Sequence, residues 1–123
     1  MARVMVVDDD PVILHLVVMN LELEGHEVVT ATTGPDALEI ARTQRPQALL
    51  LDVMLPDIDG FEVCRTLQQN ATTAAIPVVL LSARALASDV ERGLAAGAVE
   101  YVTKPFDPLE LVATVERHVA AGA

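Results

Sequence analysis

Acidic, hydroxyl and cationic side chains stand directly after short apolar runs in this sequence. Asp8, Asp9 and Asp10 follow Val4–Val7, Asp52 follows Ala48–Leu51, Ser82 follows Val78–Leu81, and Lys104-Pro105 follows Tyr101–Thr103. Aspartate and serine are ordinary cap and turn residues, so each alone has a structural explanation. Asp10 fits that explanation, because Pro11 follows it and the pair reads as an N-cap with proline at the first helical position. Asp8, Asp9 and Asp52 do not: brought together without a cation, three carboxylates repel one another strongly. A hard divalent ion removes that cost. Mg²⁺ takes a few carboxylates and several waters in octahedral geometry, with a phosphate oxygen able to complete the shell. Lys104 is the only lysine, while seven arginines fill every other basic position. A compact ammonium at a strand end suits a point charge facing an anion.

These residues act together only if the fold brings the run ends to one edge. Apolar runs at Val4–Val7, Val28–Ala31, Ala48–Leu51, Val78–Leu81 and Tyr101–Thr103 alternate with longer amphipathic stretches, which predicts five βα units. Runs this apolar suit strands of a parallel sheet covered on both faces, the third and fourth being the most buried. Asp10-Pro11, Gly34-Pro35 and Asp107-Pro108 each read as a cap followed by proline at a helix start, and Gly25 and Gly97 as helix stops. The first helix presents Ile13, Leu16, Val17 and Leu21 on one face, and the last presents Leu111, Val112, Val115 and Val119. The third is expected over about Gly60–Gln69 and the fourth over about Leu86–Ala96, with Leu86, Val90 and Leu94 mostly in the core. Right-handed crossovers then give a doubly wound α/β sheet, in which ligands bind beyond the carboxyl ends of the strands.

Bulk properties narrow the function. A chain of 123 residues builds one domain, expected over residues 1–123. A formal charge of −10 opposes direct binding to nucleic acid or anionic lipid. The apolar stretch Val12–Leu23 is interrupted by His15, Asn20 and Glu22, too soon for a membrane span, and no signal segment is present; a cytoplasmic setting is the expectation. Cys64 is single, excluding an internal disulfide, and its helical context predicts a small buried hydrophobe. His15, His26 and His118 are read as structural or solvent-exposed.

Taken together, Val6-Val7-Asp8-Asp9, the segment Leu51-Asp52-Val53-Met54-Leu55-Pro56-Asp57-Ile58-Asp59-Gly60, then Leu81-Ser82-Ala83 and Tyr101-Val102-Thr103-Lys104-Pro105-Phe106 resemble the response-regulator receiver domain of two-component systems. The resemblance spans nearly the whole chain. It implies a flavodoxin-like, CheY-like (βα)5 fold with strand order 2-1-3-4-5, and a phosphoprotein that takes a phosphoryl group on Asp52 from a histidine kinase or histidine phosphotransfer protein. It further implies that Asp8 and Asp9 organise Mg²⁺ with Asp52 and the backbone carbonyl of Met54, and that Lys104 pairs with the acyl phosphate. Ser82 would bond a phosphoryl oxygen, and Tyr101 would follow it, altering the surface of helix 4, strand 5 and helix 5. The Lys104-Pro105 bond is expected to be cis. Met54 and Arg84, two residues beyond Asp52 and Ser82, stand where the family varies the access of hydrolytic water. For assembly, Arg92 and Glu110 occupy one charge pair used by the family's DNA-binding class, but Val99 and Thr114 replace others, so a monomer or weak dimer is expected.

Other classes fit less well. A haloacid-dehalogenase-type phosphatase also uses a strand-end aspartate, but needs a second aspartate where Met54 stands. A flavodoxin-like FMN carrier would want a hydroxyl- and glycine-rich phosphate loop after strand 1, where Asp8-Asp9-Asp10 would repel phosphate. A phosphorylation-independent interaction domain on the same scaffold would not require the full set of site residues.

Overall fold

The computed structural model describes residues 2–122, with side chains placed as far as Val119. The strands are β1 (Arg3–Val7), β2 (Glu27–Ala31), β3 (Ala48–Asp52), β4 (Val78–Ser82) and β5 (Glu100–Thr103). The helices are α1 (Pro11–Leu23), α2 (Gly34–Gln44), α3 (Gly60–Gln69), α4 (Ala87–Ala95) and α5 (Pro108–Gly122). All strand pairs are parallel, in the order β2-β1-β3-β4-β5. The expected doubly wound sheet is therefore present, with strand boundaries within a residue of the apolar runs.

Alternation along the central strands divides the core into two layers. Leu49 and Leu51 of β3 pack with Ala37 and Ala41 of α2 and with Phe61, Val63, Cys64 and Leu67 of α3. Ala48 and Leu50 face the other way, toward Val17 and Leu21 of α1 and Leu111, Val112 and Val115 of α5. Every residue of β3 and β4 is buried. The two edge strands differ from the expectation of full coverage: β2 and β5 are largely half-exposed, because each has a neighbour on one side only. Cys64 is fully buried, and burial pushes its thiol up to about 11, which leaves it neutral and hydrophobic at physiological pH.

Helix ends follow local chemistry. The Asp10 side chain accepts from the Val12 N–H, and the Asp107 side chain from the Leu109 N–H. For α2 the expectation is corrected. Gly34 is already helical and the cap is Thr33, whose hydroxyl accepts from the Asp36 N–H, with Pro35 one position further in. Gly25 and Gly97 terminate α1 and α4 at φ +86° and +108°, whereas α2 ends on Arg45, a non-glycine residue at φ 47°.

The larger correction concerns α4. Leu86 is 71% and Leu94 48% exposed, Val90 is half-buried, and the residues turned inward are Asp89 and Gly93. The helical spacing was legible, but Gly93 wins the inner position because only a hydrogen fits there. A Cβ on Gly93 would stand 2.8 Å from the Tyr101 ring and 2.9 Å from Leu80 Cδ1. Close approach at Gly93 turns the leucines outward.

Candidate functional site

The parallel register delivers the chemically active residues to one edge. Val7 of β1 lies level with Leu51 of β3, and Asp52 with Leu81 of β4, so Asp8, Asp52 and Ser82 emerge together. Backbone bonds continue the ladder past the strand ends: the Asp8 N–H donates to the Ala31 carbonyl, Val53 N–H to Leu81, and Lys104 N–H to Ser82. Lys104 is thereby fastened beside Ser82 although it lies outside β5.

Carboxylate oxygens of Asp8, Asp9 and Asp52 lie within 4.8 Å of one another. Asp8 is fully buried and Asp52 4% exposed, while Asp9 is exposed. Lys104 Nζ donates to Asp8 Oδ2 at 3.1 Å and stands 3.5 Å from Asp52 Oδ2. The other oxygens are held by the backbone, Asp8 Oδ1 accepting from the Asp10 N–H at 2.9 Å and Asp52 Oδ1 from the Met54 N–H at 3.1 Å. Burial holds the Asp52 carboxyl above its ordinary range, Asp8 adds to that, and the Met54 N–H and Lys104 act against it. Burial works against the Lys104 ammonium, but Asp52 and Asp8 outweigh it and raise its affinity for the proton. One ammonium among three carboxylates leaves excess negative charge in a partly buried place. The donor set is all oxygen, which suits a hard divalent cation such as Mg²⁺.

The approach of α3 is equally specific. The Gly60 N–H donates to the Val53 carbonyl at 2.8 Å, and a Cβ on Gly60 would stand 2.5 Å from the Asp52 carbonyl oxygen. The intervening loop is anchored at both ends. Asp57 accepts from the Gly34 N–H at the start of α2, and Asp59 caps α3 through the Phe61 N–H. The Lys104–Pro105 peptide is cis.

Ser82 is fully buried and its hydroxyl accepts from the Arg84 N–H at 3.0 Å. Tyr101 stands apart from the carboxylates, its hydroxyl donating to the Arg84 carbonyl at 2.7 Å. The Arg84 guanidinium lies 3.0 Å from Asp89 Oδ1 on α4, so it is committed there, whereas Met54, two residues beyond Asp52, is 57% exposed. The histidines stand outside the cluster. His15 is exposed, His26 bonds Glu116 and the Ala2 N–H, and His118 bonds Glu100. Sequence reasoning missed the roles of Gly60, Asp57 and Asp89; the Asp59-Gly60 pair at a helix start was the available signal for the first.

A five-stranded parallel sheet with an acidic cluster and a lysine at its carboxyl edge defines a doubly wound phosphate- or cation-handling domain. The profile of the response regulator receiver domain matches residues 4–116, and the chain belongs to that family, the receiver domains of two-component response regulators. It is 36% identical to the protein PilH of Pseudomonas aeruginosa, the match covering 98% of this chain and 99% of PilH. It is 43% identical to the DNA-binding dual master transcriptional regulator RpaA of Synechocystis sp., over 94% of this chain and 48% of RpaA. The chain thus spans about half the length of RpaA, and the same holds for PhoP of Bacillus subtilis, of which it covers 47%. A CheY-like receiver domain protein from Methanospirillum hungatei superposes with a TM-score of 0.92 at 27% identity, covering 99% of this chain and 96% of that one. Among the described residues no helix is long and apolar enough to cross a membrane.

Proposed function

We propose that Asp52 is the phosphoacceptor of this receiver domain, taking a phosphoryl group from a histidine kinase or a histidine phosphotransfer protein. The observation that carries this reading is the convergence of Asp8, Asp9, Asp52 and Lys104 at one strand edge. A carboxylate oxygen of Asp52 forms the new P–O bond as the P–N bond to the donor imidazole breaks, and the imidazole nitrogen leaves with the electron pair. Such transfer depends on in-line positioning and charge neutralisation. Asp8, Asp9, Asp52 and the Met54 backbone carbonyl would hold Mg²⁺, whose positive charge would offset the negative charge of the phosphoryl oxygens. Lys104, already between Asp8 and Asp52, is within reach of a phosphoryl oxygen on Asp52. The Ser82 hydroxyl would donate a hydrogen bond to a second one by turning from the Arg84 N–H, and Tyr101 would report that turn to the surface of α4, β5 and α5.

On this reading the chain is a signalling domain and not an enzyme acting on a separate substrate, although it assists its own phosphorylation and slow dephosphorylation. Its setting is cytoplasmic, where such donors are found. The charge of −10 argues against direct contact with nucleic acid, so any DNA-directed output belongs to an effector domain or protein. The test is incubation with acetyl phosphate and Mg²⁺ followed by mass spectrometry. Wild type gains one phosphoryl group and Asp52→Asn gains none; equal labelling of the two would move the acceptor elsewhere.

A further inference from the structure

Arg84 makes three connections that no other residue between β4 and α4 makes. Its N–H donates to Ser82 Oγ at 3.0 Å, its carbonyl accepts from the Tyr101 hydroxyl at 2.7 Å, and its guanidinium lies 3.0 Å from Asp89 Oδ1. Asp89 is the unusual member. It is a carboxylate only 7% exposed, in the first turn of a helix whose leucines face solvent. A carboxylate so placed is strongly destabilising without a cation, and among the described residues Arg84 is the one within ion-pair distance. Little else fixes the start of α4, because Leu86 at its N-cap offers no side-chain hydrogen bond. Gly93 seats the far half of the helix against Leu80 and Tyr101. The first turn of α4 is therefore held through a charge borne by the same residue whose backbone reads the Ser82 hydroxyl.

We propose that Arg84 is a positioning residue that couples Ser82 to α4 through the buried Asp89. When the Ser82 hydroxyl turns toward a phosphoryl group, the Arg84 N–H loses its acceptor, the Arg84 backbone moves, and the guanidinium carries that movement to Asp89 and the first turn of α4. The proposal rests on the reading of Asp52 as phosphoacceptor and deepens it, since it assigns the transmitting residue and its receiver.

The experiment compares wild type, Arg84→Ala, Arg84→Lys, Asp89→Ala and the Arg84→Ala/Asp89→Ala double variant, read by amide hydrogen exchange and amide NMR shifts with and without beryllofluoride and Mg²⁺. Arg84→Ala retains the backbone bonds to Ser82 and Tyr101. Its amides around Asp52 and Ser82 respond to beryllofluoride as in wild type, but α4 amides exchange roughly ten-fold faster beforehand and lose most of their response. Arg84→Lys restores much of both. The double variant loses no more than the single ones, as expected for one shared interaction. Wild-type α4 protection and response in Arg84→Ala, with the Asp52 response intact, would overturn the coupling alone. A wild-type protein whose Asp52 region ignores beryllofluoride would overturn the acceptor reading, and the coupling with it.

Discussion

Asp9 differs from its two carboxylate neighbours in being exposed, and that sets the size of its effect. Asp9→Asn relieves repulsion with Asp8 and Asp52, but water screens the exposed charge, so the metal-free fold gains only about 1 kcal/mol. The same change weakens Mg²⁺ binding, because one of the carboxylates is lost. Urea titrations with chelator and with Mg²⁺ should therefore move in opposite directions; metal-free stability that falls would mean the three carboxylates do not repel one another. The Met54 N–H holds Asp52 Oδ1 while its side chain is exposed. Met54→Ala keeps the backbone bond and removes the long side chain, so a phosphoryl group on Asp52 should hydrolyse faster, by roughly two- to ten-fold if shielding is worth about 0.5–1.4 kcal/mol of barrier. The decay of phosphorylated protein after removal of the donor measures it, and an unchanged rate would assign the shielding elsewhere.

At the scale of elements, the site depends on how closely α3 approaches the end of β3. Gly60 permits it, and the atoms a Cβ would meet are backbone, namely the Asp52 carbonyl oxygen at 2.5 Å and Val53 Cα at 2.6 Å. Backbone there cannot move aside without dragging Asp52. Gly60→Ala is expected to destabilise the fold by about 1–3 kcal/mol and to reduce Mg²⁺ affinity as well, since Met54 lies in the displaced loop. Chemical denaturation with Mg²⁺ titration checks both; a loss of stability with Mg²⁺ affinity intact would show that the loop absorbs the strain before it reaches Asp52. Helix α4 illustrates the converse. Arg92 extends from it over the Phe61 ring at 4.5 Å from the centroid and lies 3.8 Å from Asp59, so α4 is joined to the start of α3 by cationic contacts where leucine packing was expected.

For the whole molecule, that placement of Arg92 bears on assembly. Of the charge pairs used by the family's DNA-binding class, Arg92 is engaged within the chain, Val99 carries no charge, and the Thr114 hydroxyl turns back onto the Glu110 carbonyl. Exposed ion pairs add only about 0–1 kcal/mol each, but they set orientation and specificity. The isolated domain should accordingly run as a monomer or weak dimer in light scattering at micromolar concentration, with beryllofluoride and Mg²⁺ producing no tight dimer of that class. A stable dimer formed only on activation and abolished by Arg92→Glu would show that the one remaining pair suffices.

Local sequence determined the elements and the kinds of residue at their ends. Apolar runs of strand length, proline after Asp10 and Asp107, and the glycines at 25 and 97 each act over a few residues, so their meaning survives without a fold. The acidic residues after β1 and at the end of β3 and the lone lysine after β5 were legible for the same reason. Tertiary structure decided what depends on distant partners. Parallel register brought Lys104 within ion-pair distance of both Asp8 and Asp52, across as many as 96 positions of chain. Thr33 displaced Gly34 as the cap of α2, because its hydroxyl reaches the Asp36 N–H. The orientation of α4 could not be read from its leucines: helical periodicity says which residues share a face, and only the fit of Gly93 against Tyr101 and Leu80 says which face turns inward.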